Sequence, residues 1–154
     1  MSFEARLKEL NLELPPAPKP VGVYKPIVVS GSMAYLSGHG PLQPDKTLIT
    51  GRLGLDMDVD AGYDAARMTG LGILATLQNH LTSLDKVKRL VKLLGLVRCV
   101  DGFTDQPAVI NGCSELLRDV FGEDAGVAAR SALGTNALPA GMAVEIEAIF
   151  EVDA

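Results

Sequence analysis

The sequence predicts an α+β protein, with one mostly antiparallel sheet and two helices packed on one of its faces. Three observations carry that reading. Strand-like runs lie at both ends of the main body, over 21–38 and 129–152; two helix-length segments, 59–81 and 104–121, stand between them; and one apolar run, 87–100, separates the helices. A sheet and a helix each have an apolar face to bury, and stacking one layer on the other closes a core. With 154 residues the chain fits a single domain, a length that buries about 70% of its unfolded surface.

The elements follow in order. In SFEARLKELNL (2–12), Phe3, Leu7 and Leu10 recur at helical spacing with charges between them. The next stretch, PPAPKP (15–20), cannot continue a helix, because each proline lacks an amide donor. Residues 1–20 are therefore read as an N-terminal helix and Pro-rich connector, and 21–154 as the main domain. VGVYKPIVV (21–29) and AYLSG (34–38) flank the turn SGSM and form a hairpin. The Gly- and Pro-rich stretch 38–58 is a long loop with one strand-like piece, TLIT (47–50), and loops are where binding residues are often carried.

Residues 59–81 form the longest helix, with Asp58 or Asp60 as cap. Ala65, Met68, Gly72 and Ala75 trace a stripe that would let its backbone approach a sheet. The run 87–100 reads as a strand, with a Leu-rich helix as the alternative. Thr104 caps a second helix, with Val109, Cys113, Leu116 and Val120 on one face and Gly122 past its end. The last strands, 129–138 and 142–152, are divided by the turn Pro139–Gly141. In the final strand Val144, Ile146, Ala148, Phe150 and Val152 form one face, and Glu145, Glu147 and Ile149 the other. Ile149 beside two glutamates indicates that the second face is partly covered, and another copy of the chain is the economical cover.

A net charge of −5 excludes a general attraction to nucleic acid or anionic membranes. No apolar stretch reaches the ~18 residues of a membrane span, and no charged-then-apolar leader opens the chain, so a soluble cytoplasmic protein is expected. Cys99 and Cys113 fit no metal-ligand spacing and are read as buried and reduced. His39 and His80 have no ligand cluster around them, so no metal is expected. Ser37 does not sit in a strand-to-helix elbow, and GRLG (51–54) lacks the lysine and spacing of a phosphate loop. Arg130 lies among small residues, where a long cation is costly to bury without an anion. It is either solvated or a bidentate partner for a carboxylate. Glu145 is either solvated or, if its face is covered, a partly desolvated acid/base group. Composition alone favours the solvated reading of both.

Arg130–Ser131, a short variable stretch, Leu138–Pro139 and then Val-Glu-Ile-Glu-Ala-Ile (144–149) resemble the signature of the Rid (YjgF-like) family of enamine/imine deaminases, older members of which carry the label endoribonuclease L-PSP. GVY (22–24), YLSGHGPL (35–42) and NGCSELLRDVFG (111–122) agree in order, so the likeness covers roughly residues 21–152. The resemblance implies a chorismate-mutase-like fold and a homotrimer with sites in clefts between subunits. It makes Arg130 the carboxylate anchor and Glu145 the residue that holds the attacking water, helped by a backbone carbonyl near Ala132. Tyr24, Ser37, Gly38 and Asn111 fall at the family's other pocket positions. His39 stands where the family usually has Gln, and Ala132 where deaminase members commonly have Cys.

The implied reaction is hydrolysis of a 2-imino acid to a 2-oxo acid and ammonia, with no cofactor. The implied partners are a small carboxylate-bearing substrate and other copies of the chain, with no nucleic acid and no membrane. The alternative is a non-catalytic carboxylate-binding or regulatory module on the same fold. The N-terminal segment and the long loop 38–58 are additions, which makes a divergent branch the expectation.

Overall fold

The computed structural model describes residues 1–153. Five strands, β1 (Ile27–Ser30), β2 (Met33–His39), β3 (Val87–Arg98), β4 (Ala129–Thr135) and β5 (Val144–Val152), form one sheet in the order β1-β2-β5-β3-β4. Three helices, α1 (Phe3–Glu9), α2 (Val59–Leu81) and α3 (Gln106–Gly126), complete the domain. All neighbouring strands are antiparallel except β3 and β4, which run parallel, so the sheet is mixed. That pairing follows from α3, which carries the chain back from the end of β3 to the start of β4, the crossover that a parallel pair requires.

The α2 helix has the bounds that its apolar periodicity predicts, and Asp58 caps it by accepting from the Ala61 amide at 2.8 Å. Its glycines work differently from the expectation. Gly70 faces α3, where an added Cβ would lie 2.9 Å from Leu116, and Gly72 faces open space, so the close approach is between helices rather than onto the sheet. The α3 helix starts at Gln106 behind Asp105, not at a Thr104 cap, and Asn111 is in its second turn. Gly122 breaks the helix with φ 87°, after which one more turn runs to Gly126. The chain before Ile27 is not strand: only Ile27–Ser30 pairs, and 21–26 forms bends that lie against the loop of the candidate site. TLIT makes isolated bridges rather than a strand, Leu48 to Leu42 and Thr50 to Met142.

Along β5 the alternate residues Val144, Ile146, Ala148, Phe150 and Val152 are buried beneath α2 and α3. At about 25 cal/mol per Å² of apolar surface, this layer is the principal stabilising term. Cys99 and Cys113 are buried in the same layer and free of a disulfide. The α1 helix is docked onto the core: Leu7 is buried, and Phe3 meets Phe121 edge to face at 4.9 Å. Asp85 accepts from the Phe3 amide at 2.7 Å, and Glu4 accepts from the Leu84 amide at 2.7 Å. The other face of the sheet, with Tyr35, Leu94, Leu96 and Ile149, has no layer over it and is only partly buried. No helix among the described residues is long and apolar enough to cross a membrane.

Candidate functional site

The alternation of strand residues sends Arg130 and Glu145 to opposite faces of the sheet. Arg130 pairs in register with Leu93, whose side chain is buried on the helix-covered face, and its guanidinium reaches α3. There Nη1 donates to Asn111 Oδ1 at 2.7 Å and to Ser114 Oγ at 3.2 Å. Both acceptors are neutral. Among the described residues no carboxylate forms a salt bridge with Arg130, so the planar fork is oriented while its charge stays unpaired. A pocket of about 310 Å³ opens beside it, lined also by Leu90, Glu115 and Arg118. Burial pushes the nearby Cys113 thiol up to about 12, with the Arg130 charge opposing the shift.

The second site lies across the sheet. Leu36 and His39 both turn toward the helices, and the β2–β5 register slips between them. Two residues, Ser37 and Gly38, are thus accommodated where one would fit, which is a β-bulge. The bulge holds Ser37 in place: its amide donates to Pro26 O at 3.0 Å and its hydroxyl donates to Lys25 O at 2.6 Å. Those two bonds tie the segment carrying Tyr24 to β2. Gly38 lies directly under the Glu145 carboxylate, where an added Cβ would come within 2.5 Å of Oε1. Glu145 is only partly exposed, and its carboxyl is held above the usual range, first by loss of solvent and second by the neighbouring Glu147 charge. Tyr24, Ser37, Gly38 and Glu145 together line a cleft of about 620 Å³.

His39, expected among the substrate-binding residues, lines the same cleft. The residue is buried, 5% exposed, with Nδ1 2.7 Å from Ser37 O and Nε2 2.8 Å from Thr76 Oγ1. A carbonyl can only accept, so Nδ1 donates and Nε2 accepts from the Thr76 hydroxyl. Burial lowers its pKa, which keeps the ring neutral. The imidazole braces the bulge through its bonds to Ser37 and Thr76. Ala132 lies on the edge strand β4, two residues beyond Arg130 and packed toward the core. Ser114 is an Arg130 partner that the sequence reading missed. Its spacing of three from Asn111 on one helix was the available signal. His80 is exposed, and among the described residues no cluster of His, Cys, Asp and Glu could hold a metal ion.

Within one chain the two sites do not converge. Arg130 is level with Leu93 on β3 and Ala148 on β5, three residues along from Glu145 and two strands across. At standard strand spacings their Cα atoms are roughly 14 Å apart, on opposite faces. On one face stands a guanidinium without an ion pair among the described residues, and on the other a partly desolvated carboxylate.

A mixed five-stranded sheet with two long helices on one face and these two sites defines an α+β protein of the chorismate-mutase-like class. Comparison with known proteins makes this specific: residues 4–146 match the family described as "YjgF/chorismate_mutase-like, putative endoribonuclease". The chain belongs to this YjgF/Rid family. It is 40% identical over 149 residues to Protein TCP17 of Trypanosoma cruzi, covering 97% of this chain and 93% of the relative. Among solved structures, a protein of unknown function from Agrobacterium tumefaciens superposes with TM-score 0.89 at 41% identity, over 98% of this chain and 92% of its own. RidA from the Antarctic bacterium Psychrobacter superposes with TM-score 0.61 at 26% identity, over 88% of this chain and 94% of its own. A match over 98% must include most of the N-terminal arm, so the arm is shared with the Agrobacterium protein.

Proposed function

We propose that the chain is an enamine/imine deaminase whose site is completed between copies, most economically in a homotrimer. The Arg130 pocket of one copy would stand against the Glu145 cleft of the next. The single observation that carries this reading is the division of the chemistry: an oriented, unpaired arginine on one face and a partly desolvated glutamate on the other, too far apart to share a small substrate. The partly buried apolar face bearing Tyr35, Leu94, Leu96 and Ile149 supports the association, since unpartnered apolar surface of this kind marks an interface.

Arg130 binds the substrate carboxylate through the fork edge that Asn111 and Ser114 leave free. Glu145 holds a water and takes a proton from it as the oxygen attacks the imine carbon. Glu145 delivers that proton to the imine nitrogen, giving a tetrahedral adduct with a hydroxyl and an amino group on one carbon. It then takes the hydroxyl proton and passes it to nitrogen as the C–N bond breaks, so that ammonia leaves and the carbonyl of the 2-oxo acid forms. One water is consumed, no electrons are exchanged, and no cofactor is called for.

The experiment is mixing. Arg130→Ala and Glu145→Gln are each expected to be inactive toward freshly generated 2-imino acids, read by ammonia release. After dissociation and reassembly in equal amounts, about a quarter of wild-type activity should return, because each head-to-tail site then has that chance of drawing both intact halves. No recovery from well-exchanged mixtures would overturn the shared site. Equal activity of wild type and both variants would overturn the reaction and leave a carboxylate-binding module.

A further inference from the structure

The cleft that holds Glu145 is larger than the proposed reaction needs. The lining of its roughly 620 Å³ brings together the connector residues Pro20 and Val21 with Leu42, Leu48 and Met142, beside Glu145. Both walls are fixed. Pro18 and Pro20 restrict the connector, which is pinned at one end by α1 and at the other by the bonds of Ser37 to Lys25 and Pro26. The loop wall is stitched by Leu42↔Leu48 and Thr50↔Met142 bridges and by the Ala143 amide donating to Ile49 O at 3.1 Å. Met142 is buried against Gly40, where an added Cβ would meet its Sδ at 2.5 Å. The space is of small-molecule size within one copy, with Met142 buried at its base and Val21 exposed at its rim.

We infer that this part of the cleft is a side-chain subsite, and that the preferred substrate is a 2-imino acid with a long apolar side chain, branched aliphatic or aromatic. The inference rests on the deaminase reading of Glu145. A three-carbon imino acid would leave Val21, Leu42 and Leu48 uncovered. An anionic side chain would lie against apolar walls, and its only cations, Lys19 and Lys46, are exposed at the rim. An apolar side chain covers the walls, and each methylene it buries strengthens binding about fourfold, the equivalent of ~0.8 kcal/mol.

The test uses the full-length protein and imino acids generated in place by amino-acid oxidases from alanine, aspartate, leucine and phenylalanine. In parallel, calorimetry follows binding of acetate, butanoate, hexanoate and 3-phenylpropanoate. Leucine- and phenylalanine-derived imines should show at least tenfold higher kcat/KM than the alanine-derived one, and Kd should fall along the carboxylate series. Leu48→Trp, which fills the subsite, should bring the leucine-to-alanine ratio toward one. If that variant does not fold, the carboxylate series on wild type decides alone. Flat kcat/KM with clear catalysis would overturn the subsite and leave the deaminase reading standing. An aspartate-derived imine as best substrate would assign the space to Lys19 and Lys46 and overturn it too. Acceleration of no imine would overturn the deaminase reading, and a chain-length-independent Kd would then overturn the subsite separately.

Discussion

The two half-sites are built by opposite means. The Arg130 half is regular structure throughout: β4, α3 and two hydrogen bonds from a guanidinium to one helix face. The Glu145 half is made of departures from regularity: a bulge at Ser37–Gly38, a Pro-rich connector, and a loop held by isolated bridges. A group set by the packing of core elements cannot move without disturbing the core, whereas loops change with little cost to the fold. On the proposed reading the carboxylate anchor would thus sit in the rigid frame, and selectivity would be set in the surroundings of the base. The N-terminal arm is not peculiar to this chain: the family match begins at residue 4, and the Agrobacterium protein matches over 98% of the chain.

The largest effect should come from the rigid half. Arg130→Ala removes a charge-assisted bidentate contact and is expected to lower kcat/KM by about 100-fold or more, from the 1.5–3 kcal/mol typical of such bonds. Arg130→Lys keeps the charge, loses the fork and should recover only part of it. Because Arg130 makes no ion pair among the described residues, thermal unfolding should move little in either variant. A collapse of stability with the activity would show that the arginine is structural. The irregular half is probed next by Gly38→Ala. Its Cβ would strike the end of the Glu145 side chain, which is free to swing aside, so the fold tolerates it while the carboxylate is displaced. A drop of about tenfold or more in kcat is expected with an unchanged melting temperature, since misplacement by an ångström is enough. Full activity in Gly38→Ala would mean that the carboxylate position does not matter.

The same division governs what the sequence discloses. The periodicity of α2 and the alternation of β5 place both elements, and Arg130, Asn111 and Glu145 stand out by residue type and spacing. Strand order is not legible, because β5 enters between β2 and β3 through pairings far apart in the chain, which no local pattern encodes. Nor is the bulge: LSGHG offers no sign that Leu36 and His39 share a face, or that the His39 ring finds Thr76. Features that depend on local period can be read, and those that depend on a partner strand or a buried acceptor cannot.

His39 tests whether the irregular half needs its brace. His39→Gln keeps a donor and an acceptor in the core, at a cost of about 1 kcal/mol for one imperfect hydrogen bond. The more telling readout is pH. Burial holds the folded-state pKa below the ordinary 6.5, so acidification protonates His39 first in the unfolded chain. Stability contributed by the neutral ring is therefore present above that value and lost as pH falls below it, by at most about 1.4 kcal/mol per pH unit. Chemical denaturation between pH 7 and 5 should show a steeper loss in wild type than in His39→Gln. Parallel slopes would mean that the ring is not held neutral.

The smallest effect sharpens the electrostatic contrast between the halves. Glu145 is raised mainly by burial and secondarily by Glu147, two residues along the same strand face. A base must be ionised to act, so the rate should rise with pH through the Glu145 pKa, with a midpoint above the ordinary carboxylate range. Glu147→Gln removes the like charge, stabilises the ionised Glu145 and should move the acid limb of kcat/KM to lower pH. The shift should be only part of the whole displacement, because burial remains. Glu151→Gln, further along the strand and not among the causes of the Glu145 shift, should leave the limb in place. Equal shifts in both variants would mean that the limb reports the general charge of the face. A shift in Glu147→Gln alone would assign it to the carboxylate that the bulge positions.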